Sequence, residues 1–337
     1  MTALIACSPE SEGLLTLELR RMLPDCALKW AADGLVRVES ERAFEELARL
    51  ISGEGARGCV FARQIAPAQA VLPADAPLAD VLAAVHAACR QIPGGHRWNI
   101  HVRMAGSRGD IETAAEEAAG AAARSRSEPE KLISVAYADA CYVGVADASL
   151  CLSTWPGGER RFRKEEARIS RSEFKLLEAM EAFGLALPRT GTALDLGAAP
   201  GGWTRILLEH GLQVTAVDPA GLDARLRDHP RLRHVRATAE QFIPDAAAYA
   251  VIVNDMRMSA ERSAAVMVSC AGMLQEGGTA VMTLKLPERG VTSRGVLDLT
   301  DRCLNLLASA YARVRARQLF HNRSELTVVM EAGSQCA

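Results

Sequence analysis

Residues 195–203 form a glycine-rich segment, Asp-Leu-Gly-Ala-Ala-Pro-Gly-Gly-Trp, between an apolar run and a helix-forming run. Glycine lets a backbone approach a ligand closely, and a helix start presents free N–H groups. The spacing is G-x-x-x-G-G, not the G-x-G-x-x-G that holds a pyrophosphate. Asp218 ends the next apolar run, where a carboxylate can accept hydrogen bonds from a ribose diol. The segment predicts a site for a nucleoside-containing cofactor without a pyrophosphate; tight packing of a strand–helix turn is the alternative.

Strand and helix patterns alternate regularly after residue 170. The pattern predicts a helix at residues 172–183 and helices between most of the following strands. Strands are expected at residues 192–196, 213–217, 233–237, 249–255, 279–285, 314–320 and 325–331. This alternation is typical of a doubly wound α/β domain with a mostly parallel, here seven-stranded, sheet. Its ligand should lie at the carboxyl ends of the strands.

Shorter strands and helices are expected in the first 155 residues. The first group comprises strands near residues 3–8, 34–38 and 58–64 and helices at 13–23 and 42–51. A Pro/Ala-rich connector at 67–77 precedes the second group, with helices at 78–90 and 111–125 and strands at 98–104, 131–138 and 140–145. We interpret the groups as small α+β domains at residues 1–66 and 67–155. A basic linker at 156–169 would join them to the α/β domain at 170–337.

The composition is that of a globular protein, with 49% hydrophobic and 24% charged residues. A length of 337 residues favours two or three domains. No run of about 18 uncharged apolar residues occurs, so no membrane span is expected, and no basic leader indicates export. The nine scattered cysteines include no C-x-x-C pair. They indicate reduced thiols and a cytoplasmic location, and we expect no metal site.

Positive charge is concentrated in the second half of the chain. Residues 1–150 hold 15 basic and 20 acidic residues, and residues 151–337 hold 24 and 21. The clusters are Arg160, Arg161, Arg163, Lys164, Arg168 and Arg171; Arg225, Arg227, Arg231, Arg233 and Arg236; and Arg313, Arg315, Arg317 and Arg323. Clustered arginines can contact phosphates, although solvated helix or strand faces are the alternative for each cluster. Arginine outnumbers lysine 34 to 5, so individual lysines are candidates for specific roles.

The glycine-rich segment resembles the S-adenosylmethionine-binding motif of the FtsJ family of RNA ribose 2′-O-methyltransferases. That family carries a Lys-Asp-Lys-Glu tetrad, and matching segments occur in order along residues 168–331. They place Lys175 in Glu-Phe-Lys-Leu, Asp255 in Val-Asn-Asp-Met, Lys285 in Leu-Lys-Leu-Pro and Glu325 in Arg-Ser-Glu-Leu. The Leu-Lys-Leu-Pro segment, residues 316–323 and Trp-Pro-Gly-Gly at 155–158 are similar to family members that methylate a cytidine of bacterial 23S ribosomal RNA and carry an N-terminal THUMP domain.

This resemblance implies a C-terminal Rossmann-like methyltransferase domain preceded by a ferredoxin-like domain and a THUMP-like RNA-binding domain. It implies S-adenosylmethionine as cofactor and RNA as partner, namely 23S ribosomal RNA or its precursor, with neither membrane nor DNA expected. The implied cofactor-binding residues are Ser172, Asp195, Gly197, Ala199, Pro200, Gly201, Gly202, Trp203, Asp218, Thr238 and Asp255. The family usually has an acidic residue after the third strand; here either Thr238 or Glu240 would contact the adenine.

A ribose hydroxyl is a poor nucleophile, so methyl transfer requires in-line approach and removal of its proton. A lysine can remove that proton only when neutral; lowering its pKa from about 10.4 to roughly 8 takes about 3 kcal/mol. A second ammonium and partial desolvation can supply this. The resemblance and its place at a strand end make Lys285 the expected base and Lys175 the neighbouring cation. Asp255 would hold a lysine, and Glu325 would position Lys175 or the ribose. The same chemistry on tRNA or another RNA, and a non-catalytic RNA-binding protein, are the alternatives.

Overall fold

A computed structural model describes residues 1–53, 57–103, 107–120, 122–163, 168–242 and 248–333. The chain divides into two compact units, Met1–Arg160 and Arg161–Ala337. Lys164, in the predicted basic linker, lies outside the described residues, as does Met104 at the end of a predicted strand. Within the described ranges, every helix falls short of the length and apolar character needed to cross a bilayer.

The first unit begins with a four-stranded antiparallel sheet and two helices. Its strands are β1 (Thr2–Ala6), β2 (Ala27–Ala32), β3 (Leu35–Glu39) and β4 (Gln64–Ala68), in the order β2-β3-β1-β4. The helices are α1 (Glu12–Met22) and α2 (Phe44–Ser52). Their apolar faces, including Leu15, Leu19, Leu47 and Ile51, are fully buried. Helix–sheet burial of this kind forms the first core of the unit.

The strand predicted at residues 58–64 is wrong, because β4 begins only at Gln64. The backbone N–H groups of Val60 and Phe61 donate to the carboxylate of Glu18, a side chain on α1 that is 1% exposed. Cys59 Sγ donates to the same carboxylate. A buried carboxylate needs hydrogen-bond donors. Here the backbone N–H groups of Val60 and Phe61 serve as donors to Glu18 instead of pairing with a neighbouring strand.

A second four-stranded sheet follows in the same unit. It comprises β5 (Ala70–Pro73), β6 (Trp98–Arg103), β7 (Lys131–Tyr137) and β8 (Ala140–Asp147), ordered β5-β8-β7-β6, with helices α3 (Leu78–Cys89) and α4 (Arg108–Ala119). Only the β6–β7 pair is parallel among these neighbours. The prediction of a connector at 67–77 is therefore wrong over β5, which pairs with β8 along its whole length. The identification of these two sheets as ferredoxin-like and THUMP-like domains stays a prediction.

The second unit contains a seven-stranded sheet, as predicted. In chain order its elements are α5 (Glu173–Phe183), β9 (Thr192–Leu196), α6 (Gly202–Glu209), β10 (Gln213–Val217), β11 (Leu232–Val235), β12 (Tyr249–Asn254), α7 (Ala260–Cys270), β13 (Leu274–Lys285), α8 (Ser293–Ala308), β14 (Arg313–Arg317) and β15 (Glu325–Glu331). The strand order is β11-β10-β9-β12-β13-β15-β14. The first four neighbour pairs are parallel, and β15 is antiparallel to both its neighbours. This mixed α/β sheet confirms the doubly wound class.

The central strands are covered on both faces, as parallel strands require. Every residue of β12 is buried. Leu176 on α5 and Leu207 on α6 share one core with Val251 and Val253, whereas Ile252 points to the opposite face. The carboxyl ends of β9, β10, β12 and β13 meet at one edge, and the antiparallel β15 begins at that edge.

Candidate active site

Two lysines and two carboxylates meet at the edge where β12 and β13 end. Lys285 Nζ lies 2.7 Å from Asp255 Oδ1 and 2.8 Å from Glu325 Oε1. Lys175 Nζ lies 2.7 Å from Glu325 Oε2 and 3.1 Å from Asp255 Oδ1. Each lysine therefore contacts both carboxylates, and the ring has no formal net charge. We call these four residues the tetrad.

The sheet topology brings the tetrad together from four separate segments. Asp255 directly follows β12, and Lys285 is the last residue of the neighbouring β13. Glu325 is the first residue of β15 and pairs with Lys285 in the antiparallel register. Lys175 lies in the first turn of α5. The structure thus brings together four side chains that are far apart in the sequence.

The tetrad charges stabilise one another in a partly buried setting, since the four side chains are 15 to 18% exposed. Burial alone would raise the pKa of Asp255, but Lys285 and Lys175 outweigh it and the pKa lies below its ordinary value. Burial alone would lower the pKa of Lys175, but Asp255 and Glu325 outweigh it and the pKa is raised. Lys175 is therefore a fixed cation at neutral pH.

The glycines between β9 and α6 are required for packing. Gly201 has φ +113, and a Cβ there would lie 2.4 Å from Leu226 Cδ1. A Cβ on Gly202 would lie 2.3 Å from Ser170 Oγ. Gly197, with φ +72, would place a Cβ 2.4 Å from Met256 Cγ. Side chains at these positions would push the loop out of place.

Asp195 lies beneath this loop. Its side chain is 1% exposed and accepts a hydrogen bond from Thr204 Oγ1 at 2.5 Å, which ties the end of β9 to the first turn of α6. Burial raises the pKa of Asp195 to about 7, and the charges of Asp255 and Asp218 act in the same direction. The Asp195 carboxyl group thus stabilises the glycine loop through its hydrogen bond to Thr204.

Asp218, just beyond β10, contacts the same loop. Its Oδ2 accepts from the Ala199 N–H at 3.1 Å and its Oδ1 from the Ala220 N–H at 2.8 Å. Further along the edge, Thr238 and Glu240 are both exposed, and Glu240 pairs with Arg262 at 2.7 Å. Both residues line the cavity described below, so the choice between them as the adenine contact stays open.

A single cavity of about 990 Å³ joins the glycine loop to the tetrad. Most of the residues singled out from the sequence line it: Ser172, Lys175, Asp195, Gly197, Ala199, Pro200, Trp203, Asp218, Thr238, Asp255, Lys285 and Glu325. Gly201 and Gly202 are outside this lining and pack against neighbouring side chains. Trp203 is 3% exposed, and its Nε1 donates to the Ser172 carbonyl oxygen at 2.7 Å.

Several residues in or beside the cavity escaped the sequence-based selection. Thr283 Oγ1 donates to Asp255 Oδ1 and accepts from Lys285 Nζ at 2.9 Å, so this hydroxyl supports the tetrad. Its position two residues before Lys285 on β13 was an available signal, because such residues share one face of a strand. Unlike Thr283, Arg257 and His321 line the cavity itself. Arg257 stands in no pattern that a single sequence distinguishes from an ordinary loop. His321 lies in the segment 316–323 that resembles family members, but no role was predicted for it.

Comparison with known proteins finds a family match for the segment that supplies most of the cavity lining. Residues 168–288 match the model of the FtsJ-like methyltransferase family. The resemblance predicted from the sequence is confirmed. This FtsJ-like region includes the glycine loop, Lys175, Asp255 and Lys285, whereas Glu325 lies beyond the matched residues.

Relatives of this chain include two bacterial proteins named ribosomal RNA large subunit methyltransferase M. The protein of Halorhodospira halophila is 32% identical over 208 residues, which cover 60% of this chain and 58% of the relative. The protein of Laribacter hongkongensis is 37% identical over 191 residues, covering 52% and 51%. The chain thus spans about half the length of the curated relatives it matches. Among solved structures, TrmN from Thermus thermophilus has 19% identity and a TM-score of 0.39, covering 99% of this chain and 100% of that one.

Proposed function

We propose that this protein transfers a methyl group from S-adenosylmethionine to a ribose 2′-hydroxyl of RNA, at a cytidine of 23S ribosomal RNA. The observation that carries the proposal is the tetrad, whose two lysines and two carboxylates line the same cavity as the glycine loop. A positioned amine beside a cofactor cavity suits removal of a hydroxyl proton during transfer.

The cavity fits the proposed cofactor. Its volume of about 990 Å³ lies in the range of ligand pockets and leaves space for a nucleotide as well. Asp218 lines the wall between loop and strand end, where its carboxylate can accept from ribose hydroxyls. The Ala199 and Pro200 backbone would flank the nucleoside, with Thr238 or Glu240 beside the adenine. When bound, S-adenosylmethionine supplies a methyl group on a positively charged sulfur.

In the proposed reaction Lys285 acts as general base. Once it has lost its own proton, Nζ would accept the proton of the 2′-hydroxyl, whose oxygen would bond to the methyl group as the bond between that group and the cofactor sulfur breaks. The Lys175 ammonium orients that oxygen, and Asp255 and Glu325 hold both lysines at the distances given above. Arginine could not replace Lys285 as base, because its guanidinium keeps its proton.

Unpaired arginines around the cavity support an RNA substrate. Arg171, Arg257 and Arg323 are exposed and line the cavity. Each lies within four residues of a tetrad member, and none of the three pairs with a carboxylate among the described residues. Guanidinium groups in this setting suit phosphate oxygens. The relatives named as large-subunit ribosomal RNA methyltransferases support 23S ribosomal RNA as the substrate, and the cytidine rests on the family resemblance.

We also propose that the first unit contributes to RNA recognition, with a ferredoxin-like domain at residues 1–66 and a THUMP-like domain at 67–155. Two four-stranded sheets, each accompanied by two helices, support this assignment. Because aromatic residues make up only 4% of the chain, stacking on unpaired bases has few candidates and a structured RNA is the expected partner.

The decisive experiment uses labelled S-adenosylmethionine and RNA from bacteria that lack the activity. Large-subunit RNA and tRNA are tested separately, and nuclease mapping then locates a resistant 2′-O-methylated dinucleotide. We expect label at one cytidine of 23S RNA. Label in tRNA alone would support 2′-O-methyl transfer but reject 23S ribosomal RNA as the substrate. Absence of label from every RNA, with the cofactor still bound, would reject methyl transfer and support an RNA-binding protein.

A further inference from the structure

A buried carboxylate fixes one histidine at the wall of the cavity. Glu178 lies on α5, and its side chain is 5% exposed. Its carboxylate accepts three N–H donors from one short segment: Phe320 N at 2.8 Å, His321 N at 2.9 Å and His321 Nδ1 at 2.8 Å. An ionised carboxylate only accepts, so Nδ1 carries the hydrogen in this contact. The backbone and the ring of His321 are thus held by the same group.

Aromatic side chains restrict the His321 ring further. Its centroid lies 4.9 Å from that of Phe174 and 5.2 Å from that of Phe320, whose ring is nearly perpendicular. Phe162 lies 5.5 Å away on the same cluster. The ring is therefore fixed in position and tilt, although its side chain is still 16% exposed. Among the residues that the structure describes, Nε2 has no hydrogen-bond partner.

The sheet order places His321 away from the proposed cofactor end. The loops after β9, β10 and β11 supply Ala199, Asp218 and Thr238, and these strands form one half of the sheet. His321 lies between β14 and β15, the last two strands of the other half, and lines the same cavity as the tetrad. His321 therefore belongs to the tetrad half of the cavity lining and not to the half that contains Ala199, Asp218 and Thr238.

We infer that His321 contacts the RNA nucleotide that is methylated, through Nε2, and that Glu178 is a positioning residue acting through His321. This inference rests on the proposed function. A rigid imidazole with a free ring nitrogen can hydrogen-bond the base or ribose without losing side-chain entropy on binding. His321 would thereby hold the target nucleotide while the tetrad acts on its 2′-hydroxyl.

The first test compares His321→Ala with the wild-type protein. We expect kcat/KM for large-subunit RNA to fall about tenfold or more, the value of one well-made hydrogen bond, with S-adenosylmethionine affinity unchanged. His321→Gln, which keeps a polar group at similar reach, should recover part of the loss. The matched control is His210→Ala, because His210 directly follows α6, lies outside the cavity lining, and its Nδ1 is 2.9 Å from the Ile206 carbonyl oxygen. Full kcat/KM in His321→Ala would overturn the inference.

A double-mutant cycle tests Glu178. Glu178→Gln should lower kcat/KM for RNA in the wild-type background and have little further effect in His321→Ala, since it acts through the ring. An equal effect in both backgrounds would show a purely structural role and reject the positioning claim. Complete inactivity of the wild-type protein on every RNA would instead reject the proposed function. The two failures are therefore distinguishable.

Discussion

Lys285 and Glu325 are direct cross-strand partners at the end of the β13–β15 ladder, with Nζ 2.8 Å from Oε1. This register determines more than one contact, because Glu325 also reaches Lys175 through its second oxygen. An antiparallel strand inserted beside β13 thus supplies the carboxylate that joins both lysines. The arrangement places a polar ring at the edge of an otherwise apolar sheet.

Replacing Lys285 tests the proposed base. Lys285→Ala and Lys285→Arg should both lose methyl transfer by at least about a hundredfold, since neither side chain can accept the proton. S-adenosylmethionine binding, measured by calorimetry, should remain. Lys29→Ala is the control, because Lys29 is 62% exposed and forms a surface pair with Asp139. Normal turnover in Lys285→Ala would reject the assignment.

Asp255→Asn should affect both activity and stability. The substitution leaves two partly buried lysines with one carboxylate, and breaking such a pair lowers the free energy of unfolding by about 3 kcal/mol. Transfer should also be lost. Urea unfolding measures the first effect, with Glu261→Gln as control because Glu261 and Arg302 form an exposed pair. Equal losses of stability in the two variants would contradict this account.

Gly197→Ala should destabilise the second unit by about 1–3 kcal/mol, because its φ of +72 is strained for alanine and its Cβ would lie 2.4 Å from Met256 Cγ and 3.1 Å from Met256 Cα. Gly272→Ala is the matched control. A Cβ at Gly272 meets nothing within 4 Å, so its effect should stay within about 0.5 kcal/mol. Thermal or urea unfolding of both variants makes the comparison. A fully stable Gly197→Ala protein would contradict the packing interpretation.

The buried carboxyl of Asp195 predicts a pH dependence of stability. Its pKa is about 7 in the folded chain against an ordinary value of 3.8. Between these values the folded state holds a proton that the unfolded state has lost, so the free energy of unfolding falls as pH rises from 3.8 to about 7 and levels off above that. The slope from this group is at most about 1.4 kcal/mol per pH unit. Asp195→Asn should lose that contribution in urea titrations at pH 5, 6 and 7; an unchanged slope would refute it.

The cavity arginines predict a change in salt dependence. Removing Arg171, Arg257 or Arg323 should weaken RNA binding and reduce the slope of log affinity against log salt by about one for each lost phosphate contact. Fluorescence anisotropy across salt concentrations gives the slope. Arg302→Ala should leave it unchanged, because that side chain pairs with Glu261. If the salt-dependence slope were the same in the Arg171, Arg257 and Arg323 variants as in Arg302→Ala, phosphate contacts by the three cavity arginines would be rejected.

The local sequence pattern was sufficient to predict most of the strands of the second unit. The strands at Thr192–Leu196, Gln213–Val217 and Glu325–Glu331 match their predicted bounds, because apolar runs there end in turn-forming or polar residues. The edge strand β2 was missed, since none of its residues is fully buried and its apolar alternation is weak. The strand expected at 58–64 failed for a different reason, namely that Glu18 takes its backbone donors.

The sequence by itself determined the α/β class and the glycine loop, because motifs and periodicity are properties of neighbouring residues. The resemblance to the FtsJ family is what pointed to the four tetrad residues. Tertiary structure decided which lysine contacts which carboxylate, and it showed that Gly201 and Gly202 serve packing. It also decided that Glu178 holds His321, a contact across 143 positions of the chain. Such contacts depend on strand order and helix packing, since the folded backbone alone sets which distant side chains meet.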